Sequence, residues 1–597
     1  MFIRSFRSIL SKTSRFKRKN SIHQVNSLPL SLPLKFSSSS NPKLSNSSEA
    51  IWKYTAAGTM LIGLSYIAYN RYKSSPSPSH TEVTTDQSES VSNQPETETK
   101  SNNLIEDLPS SVKYLVIGGG HQGYAAARAI RSNDWSSRVL IVSEEDHYPY
   151  SRNPLTKELW FNSDPSDPFS FSQIDGHKRS IYFEHEEFYL PLKEFSSAPH
   201  GGISVLKSHR IIRIDPDLNI AYLDNNQSIS FEKCIIATGK RPKKLPIFDR
   251  NLPETVRREK IIYFRTPEDF QCVEKLLAAL KSLTIIGNGL IANELVFSIS
   301  NRSKQINSDV KINQILNQTS SLQQFLPSFL SQWCSERAKY ENVNVLNNVD
   351  IEDVQFVNDQ IRLKLSNGNL IDTDICIVDN GYEPNNDLAL TSGLEIDPVD
   401  GRLITNAELQ IRNNIWGAGS VISYFDQKYG RENVQGGTIF TGRLAGLNAS
   451  ASEANQNKTP KRYDYLPRFW SDLGEEIGFE AFGKIDSNLP TFSMFVKNFD
   501  QNDDGSLDEK YKFHRGIILY QEHDSIVGVV LWNIFDVVAT HLAKQIISDG
   551  FKNQDPQEVA KLFPLFAYKE IGVEASKSID ESGRQENTSD TKQNESG

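Results

Sequence analysis

"KYLVIGGGHQG", residues 113–123, decides the fold. An apolar run meets Gly118, Gly119 and Gly120, passes His121 and Gln122, and reaches Gly123 in a GxGxxG spacing. "YAAARAI", residues 124–130, then supplies helix formers. Strand, glycine turn and helix open a dinucleotide-binding sheet: one glycine makes the tight turn, one admits a pyrophosphate to the backbone, one lets helix and strand pack closely. The spacing alone is a weak signal, and "RVLIVSEED", residues 138–146, strengthens it. This second strand ends in Glu144 and Glu145, where a carboxylate can accept from both hydroxyls of a ribose. A solvated loop acid is the bland rival for Glu144.

The same grammar returns at 283–294, "LTIIGNGLIANE", with Gly287, Asn288, Gly289, Leu290 and Ile291 in the turn and Ala292 in third place. Its partner strand, "VKINQILNQ", ends in Asn317 and Gln318, with neither an acid for a ribose diol nor an arginine for a 2′-phosphate. Two further strands, "KCIIATGKRP" (233–242) and "DICIVDNGYEPN" (374–385), end in ATG or a similar turn with a proline close behind. "NNIWGAGSVIS" (413–423) is an apolar strand running into Gly419 and Ser420, and "GGTIFTGRLAG" (436–446) reads as a glycine loop entering a helix.

The chain has 597 residues, 38% hydrophobic and 23% charged, enough for two or three domains with their own cores. Net charge is −9, but residues 1–48 hold nine Lys or Arg and no acid, which leaves the rest at −18. A body that acidic repels phosphate backbones, so direct DNA binding is disfavoured. Cys234, Cys272, Cys334 and Cys376 form no CxxC pair, which excludes a redox dithiol or zinc knuckle of that kind. The first 20 residues, rich in Arg, Lys and Ser, read as a mitochondrial transit peptide; a disordered basic arm is the rival. Residues 51–70, uncharged from Thr55 to Tyr69 and flanked by Lys53, Arg71 and Lys73, read as a short membrane anchor with interfacial Trp and Tyr. A Ser-, Pro- and Glu-rich tether follows.

Taken in order, these markers resemble the two-dinucleotide-domain flavoprotein reductases. "PYSRNPLTKELW" (149–160), "FWSDLGEEIGFEAFGKID" (469–486) and "GVVLWNIF" (528–535) narrow the resemblance to the apoptosis-inducing-factor family, over about residues 113 to 565. It implies an α/β architecture: an FAD-binding Rossmann-like domain (111–262 and 381–460), an inserted NAD-binding Rossmann-like domain (263–380) and an α+β carboxy-terminal domain (461–575). Ahead of these lie the transit peptide (1–50), the anchor (51–70) and a linker (71–110), and a disordered tail (576–597) follows. The resemblance further implies a hydride passed from NAD(H) to FAD, and a place on the mitochondrial inner membrane facing the intermembrane space.

Carried over residue by residue, Gly118 to Gln122 hold the FAD pyrophosphate and Glu144 the adenosine ribose, with Glu145 beside it. Arg152, Lys157, Ile211, Arg265 and Trp470 match flavin contacts, and Lys157 with Glu294 matches a pair at the flavin's reactive edge. Asn288, Gly289, Leu290 and Ile291 fall on the NAD turn, while Gly381, Glu480 and Asn533 match the family. Departures cluster on the nicotinamide ligand. Ser420 stands for an aspartate on the flavin's ribityl chain, and Gln435, Gly436 and Gly437 for Glu-His-His. Leu290 replaces a stacking aromatic; Gln318 and Gln324 replace a ribose glutamate and a lysine.

"GIILYQEHDSIVGVVLW" (516–532) reads as a hairpin with an edge that a partner could extend. The family implies a small disulfide-import oxidoreductase as that partner, and an NADH-induced homodimer. "DQNDDGSLDEKY" (500–511) imitates a calcium loop, but Tyr511 stands where a bidentate glutamate is needed, so a disordered insertion and no metal are expected. Two functions compete: an NADH-oxidising flavoprotein, and a scaffold that keeps the fold, docks an import partner and has lost turnover. A ferredoxin- or ascorbate-radical-type reductase shares the grammar without the carboxy-terminal motifs.

Overall fold

A computed structural model describes residues 104–563 apart from 163–165, 173–176, 427–429, 434–438, 455–458, 497–509, 511 and 552–554, together with residue 565 and strand 571–575. The transit peptide, the anchor and the tail lie outside the described residues, as do nearly all of the linker and of the calcium-like loop, and Gln435, Gly436 and Gly437.

The first sheet is entered by β1 (Ser111–Ile117), β2 (Arg138–Val142), β3 (Gly202–Leu206) and β4 (Ser228–Ile236). The chain leaves for a second sheet, β5 (Ile261–Ile262), β6 (Ser282–Ile286), β7 (Lys311–Ile315), β8 (Val343–Leu346) and β9 (Ile375–Val378). It returns with β10 (Gln410–Arg412) and β11 (Ile415–Gly417). Spatial order is β10-β11-β4-β1-β2-β3 in the first sheet and β5-β9-β6-β7-β8 in the second. Every pairing in the second sheet is parallel, as are β11–β4, β4–β1, β1–β2 and β2–β3 in the first. Covered on both faces, β2 and β9 are nearly continuous buried apolar runs without alternation, and Leu115, Val116, Ile141 and Ile235 are all but inaccessible.

Helix α1 (His121–Asn133) follows β1 and α2 (Leu290–Gln305) follows β6, so each glycine turn joins the carboxyl end of a central strand to a helix amino terminus. Ala125, Ala126, Ala127 and Ala129 let α1 lie close to its sheet. Gln122 fastens α1 to α3 (Phe440–Ala454), its Oε1 accepting from Thr441 Oγ1 (2.9 Å) and the Gly442 N–H (2.7 Å).

The carboxy-terminal sheet contains β12 (Arg468–Leu473), β13 (Ile477–Gly483), β14 (Thr491–Val496), β15 (Arg515–Glu522), β16 (Ser525–Trp532) and β17 (Ile571–Ala575), in the order β12-β13-β16-β15-β14-β17. The β15–β16 hairpin forms where the alternating sequence places it, but it exposes no edge. β13 pairs with β16 on one side and β14 with β15 on the other. Both hairpin strands are nearly continuous buried runs, which a central strand needs and an edge strand avoids. β12 and β17 are the edges among the described residues. One hydrophobic core runs from the second sheet and Val296 and Ile299 of α2 into Phe469, Phe479 and Trp532 of this sheet. Among the described residues no helix is long and apolar enough to cross a membrane.

Candidate functional site

The carboxyl ends of both parallel sheets face one cavity of about 1300 Å³, closed on a third side by Phe469 and Trp470 of β12. Gly118 to Gln122, Glu144, Glu145, Arg152, Lys157, Ile211, Arg265 and Ser420 line it, with Asn288 to Ile291, Glu294, Gln318, Gln324 and Gly381 from the second fold. Chain segments more than 300 residues apart in sequence, such as those of Gly118 and Ser420, therefore share one wall.

The first turn is shaped for an anion. Gly118 has φ +113°, and a Cβ there would lie 2.3 Å from the Ala237 carbonyl oxygen, so only glycine fits. A Cβ on Gly120 would meet nothing within 4 Å, so it points into open cavity. Gly120 is also the N-cap of α1 and offers no side-chain cap, which leaves the first N–H groups of the helix for a ligand. Gly123 lies beneath, its would-be Cβ 1.9 Å from the Gly118 carbonyl oxygen. His121 packs against Phe183 with the rings tilted, centres 4.7 Å apart, and burial holds its imidazole down at about 4, so it is neutral near pH 7. Glu144 is exposed at the cavity wall, whereas Glu145 accepts from Tyr150 Oη (2.7 Å) and pairs with Arg152.

Cations gather on the cavity wall. Arg265 and Lys240 line the cavity, and neither makes a salt bridge among the described residues. Burial, then mutual repulsion with other cations, holds Arg265 down at about 10 and Lys240 at about 8. Desolvated positive groups facing a large cavity fit a polyphosphate ligand. The groups around the first fold therefore suit FAD: a bare helix terminus, an open Gly120, Glu144 to accept from a ribose and this cation cluster.

Lys157 sits between two short 3₁₀ turns, Asn153–Thr156 and Glu158–Phe161, anchored by Trp160 Nε1 donating to the Leu155 carbonyl (2.8 Å). Its Nζ donates to Glu294 Oε2 at 2.8 Å, and both side chains are buried. Glu294, on α2, also accepts from Thr156 Oγ1 and from Ser471 Oγ (2.8 Å). Burial pulls the Lys157 ammonium down, but Glu294, Glu158 and Asp472 outweigh it and hold it above the ordinary lysine value. The pair thus ties the first fold, the second fold and β12 together at the cavity.

The second turn differs. Gly287 matches Gly118, with φ +137° and a would-be Cβ 2.2 Å from the Asp379 carbonyl oxygen. Gly289 does not match Gly120: a Cβ there would lie 2.4 Å from Asp379 Oδ2. Gln318 accepts from Asn288 Nδ2, and Asn288 also donates to the Ser320 carbonyl (2.9 Å). The second fold therefore offers a matching floor but no open anion seat.

Glu480 and Asn533 stay off the cavity wall. Glu480 pairs with Arg468 at 2.6 Å and accepts from Thr540 Oγ1. Asn533 accepts from the Gly478 N–H (2.7 Å) and donates to the Glu476 and His514 carbonyls, which staples the turns of the sheet. Sequence reasoning passed over Lys240, Tyr382 and Asp379. The signal for Lys240 and Asp379 was their position at or just after an apolar strand end. Lys240 lies 4.2 Å from the Tyr382 ring centre.

Residues 112–438 match the family described as "Pyridine nucleotide-disulphide oxidoreductase". Residues 452–510 and 500–549 match "Apoptosis-inducing factor, mitochondrion-associated, C-term". The "Apoptosis-inducing factor 1, mitochondrial" of Dictyostelium discoideum is 32% identical over 437 residues, 72% of this chain and 77% of that protein. The chain belongs to the apoptosis-inducing factors, within the pyridine nucleotide-disulphide oxidoreductases. The "Putative apoptosis-inducing factor 1, mitochondrial" of Drosophila melanogaster is 36% identical over 503 residues, 77% of this chain; the chain spans 66% of that protein's length. A ferredoxin reductase structure from Rhodopseudomonas palustris shares the fold at TM-score 0.60 and 18% identity, covering 76% of this chain and 97% of that one. The family is one of FAD-dependent NAD(P)H oxidoreductases.

Proposed function

We propose that this protein is a slow FAD-dependent NAD(P)H oxidoreductase whose cavity holds FAD on the first fold and admits the nicotinamide donor from the second. The carrying observation is the buried Lys157–Glu294 pair, 2.8 Å apart, at the junction of the two folds. Bound there, FAD would supply a two-electron acceptor for the donor's hydride. Gly118 to Gln122 and the α1 terminus would bind its pyrophosphate, Glu144 a ribose, and Ser420 one hydroxyl of the chain between. Lys157, held charged by Glu294, would place a fixed cation where negative charge grows on reduction. Phe469 and Trp470 would cover the ring side and exclude water. Anaerobic mixing with NADH and NADPH tests this. Loss of the flavin absorbance band, much slower in Lys157→Met, supports it; a band unchanged at saturating donor overturns it.

The finer reading adds the membrane anchor at 51–70, a place in the mitochondrial intermembrane space, and docking of a small disulfide-import oxidoreductase. Because the β15–β16 hairpin is central, docking by strand addition has to use a sheet edge. Retention in the membrane after alkaline extraction, lost on deleting 51–70, tests the anchor. A scaffold without turnover is the second reading. It is favoured by the engaged Gln318 and by the Asp379 carboxylate at Gly289, and import rescued fully by Lys157→Met would support it.

A further inference from the structure

The two nucleotide folds of this chain can be compared atom for atom. In the first, the Gly118 N–H donates to the Val142 carbonyl (2.8 Å) and the Ala237 N–H to the Ile117 carbonyl (2.8 Å). In the second, the Gly287 N–H donates to the Ile315 carbonyl (3.0 Å) and the Asp379 N–H to the Ile286 carbonyl (2.8 Å). Ala237-Thr238-Gly239 and Asp379-Asn380-Gly381 therefore occupy one structural position, and Gly239 and Gly381 share a positive φ, +75° and +81°. One difference stands out. Where the first fold carries the methyl of Ala237, the second carries a carboxylate.

That carboxylate fills what Gly120 leaves open. Asp379 Oδ2 accepts from the Ala292 N–H at 3.1 Å, in the first turn of α2, and lies where a Cβ on Gly289 would point. Asp379 is 8% exposed, and among the described residues no other polar side chain caps the start of α2. The ribose position is engaged as well: Asn288 donates to Gln318 and accepts from the Leu322 N–H at 2.8 Å.

We propose that Asp379 is a resident occupant of the second fold's phosphate seat and lowers this chain's affinity for nicotinamide dinucleotides. An incoming pyrophosphate meets an oxygen already on the helix terminus, in the volume that its own oxygens need. Ionised, Asp379 also repels the pyrophosphate; protonated, it still takes the space and the N–H. Burial raises its carboxyl above the ordinary range, against the Ala292 N–H and Lys240, so the block does not depend on one charge state. This inference rests on the oxidoreductase reading, and it makes Asp379 a specificity residue and not a catalytic one.

The test uses FAD-loaded protein and ADP-ribose, which carries the adenosine and pyrophosphate but no nicotinamide, with calorimetric titration as readout. Asp379→Ala rebuilds the second turn in the image of the first, and Asp379→Asn keeps its shape. Expected is ADP-ribose binding at least tenfold tighter in Asp379→Ala, with Asp379→Asn nearer the wild type. Affinity unchanged or weakened in a folded Asp379→Ala overturns the inference. Should that variant fail to fold, Asp379→Gly is read in its place on the same criterion. Tighter ADP-ribose binding with no flavin reduction by NADH in any variant would sink the oxidoreductase reading and leave this one standing. Reduction in the wild type, with ADP-ribose affinity unmoved by the substitution, would do the reverse.

Discussion

Lys157 and Glu294 are each other's condition for being buried. Removing the lysine leaves a carboxylate 2% exposed with two hydroxyl donors and no counter-charge. Lys157→Met should therefore cost about 3–5 kcal/mol of stability, while adding Glu294→Gln should recover part of that loss. Urea unfolding of the three variants checks it; a double variant as unstable as the two losses added would show that the pair is uncoupled. Ser420 is the second residue-scale case. Its hydroxyl lines the cavity near Gly239 and Arg265, and its carbonyl is fixed by Arg402 Nε at 3.1 Å. A carboxylate there makes a charge-assisted bond to a bound hydroxyl, so Ser420→Asp should tighten FAD binding roughly tenfold. Equilibrium dialysis that finds level or weaker binding places the chain between ring and pyrophosphate elsewhere.

At the scale of elements, the two glycine turns separate folding from binding. A Cβ on Gly120 touches no protein atom, so Gly120→Ala should change the stability of the FAD-free protein by less than about 1 kcal/mol. The same methyl intrudes on the anion cradle and should weaken FAD at least tenfold. Gly123→Ala drives a methyl into the Gly118 carbonyl and should cost about 1–3 kcal/mol before any ligand is added. Thermal melts and FAD titration on both variants separate the effects, and matching behaviour would refute the division. These turns were legible in the sequence because their order, strand then glycines then helix, is local. The placing of β15 and β16 was not, since alternation reports a hairpin but not which strands flank it. β13, β14 and the hairpin meet only in three dimensions. Asp379 escaped for a related reason. At the end of an apolar strand it reads as a loop acid, and only the folded chain brings it to a helix 87 residues away.

For the whole molecule, one cavity joins three sheets, and a buried acid on β12 makes stability depend on pH. Burial, opposed by Lys157, raises the Asp472 carboxyl well above its ordinary value. A native acid with a raised value binds a proton that the unfolded chain has released, so stability should fall as pH climbs above about 4. Asp472→Asn removes that dependence, and its advantage over the wild type should grow between pH 5 and pH 8 in urea melts. An advantage constant across that window would show that Asp472 keeps its ordinary value. The outline of the site was readable residue by residue along the glycine turns and "PYSRNPLTKELW". Glu480 and Asn533, carried over from the family, serve the carboxy-terminal sheet: Glu480 ties Arg468 and Thr540 to β13, and Asn533 closes its turns.

The most direct test of two nucleotide folds working across one cavity is an anaerobic titration of the purified protein with NADH, followed by absorbance. The protein should carry flavin as isolated, and its flavin band should bleach with one NADH oxidised per flavin reduced, at donor concentrations high enough to displace Asp379. A flavin band that stays intact at saturating NADH, or protein that takes up no FAD at all, would contradict it.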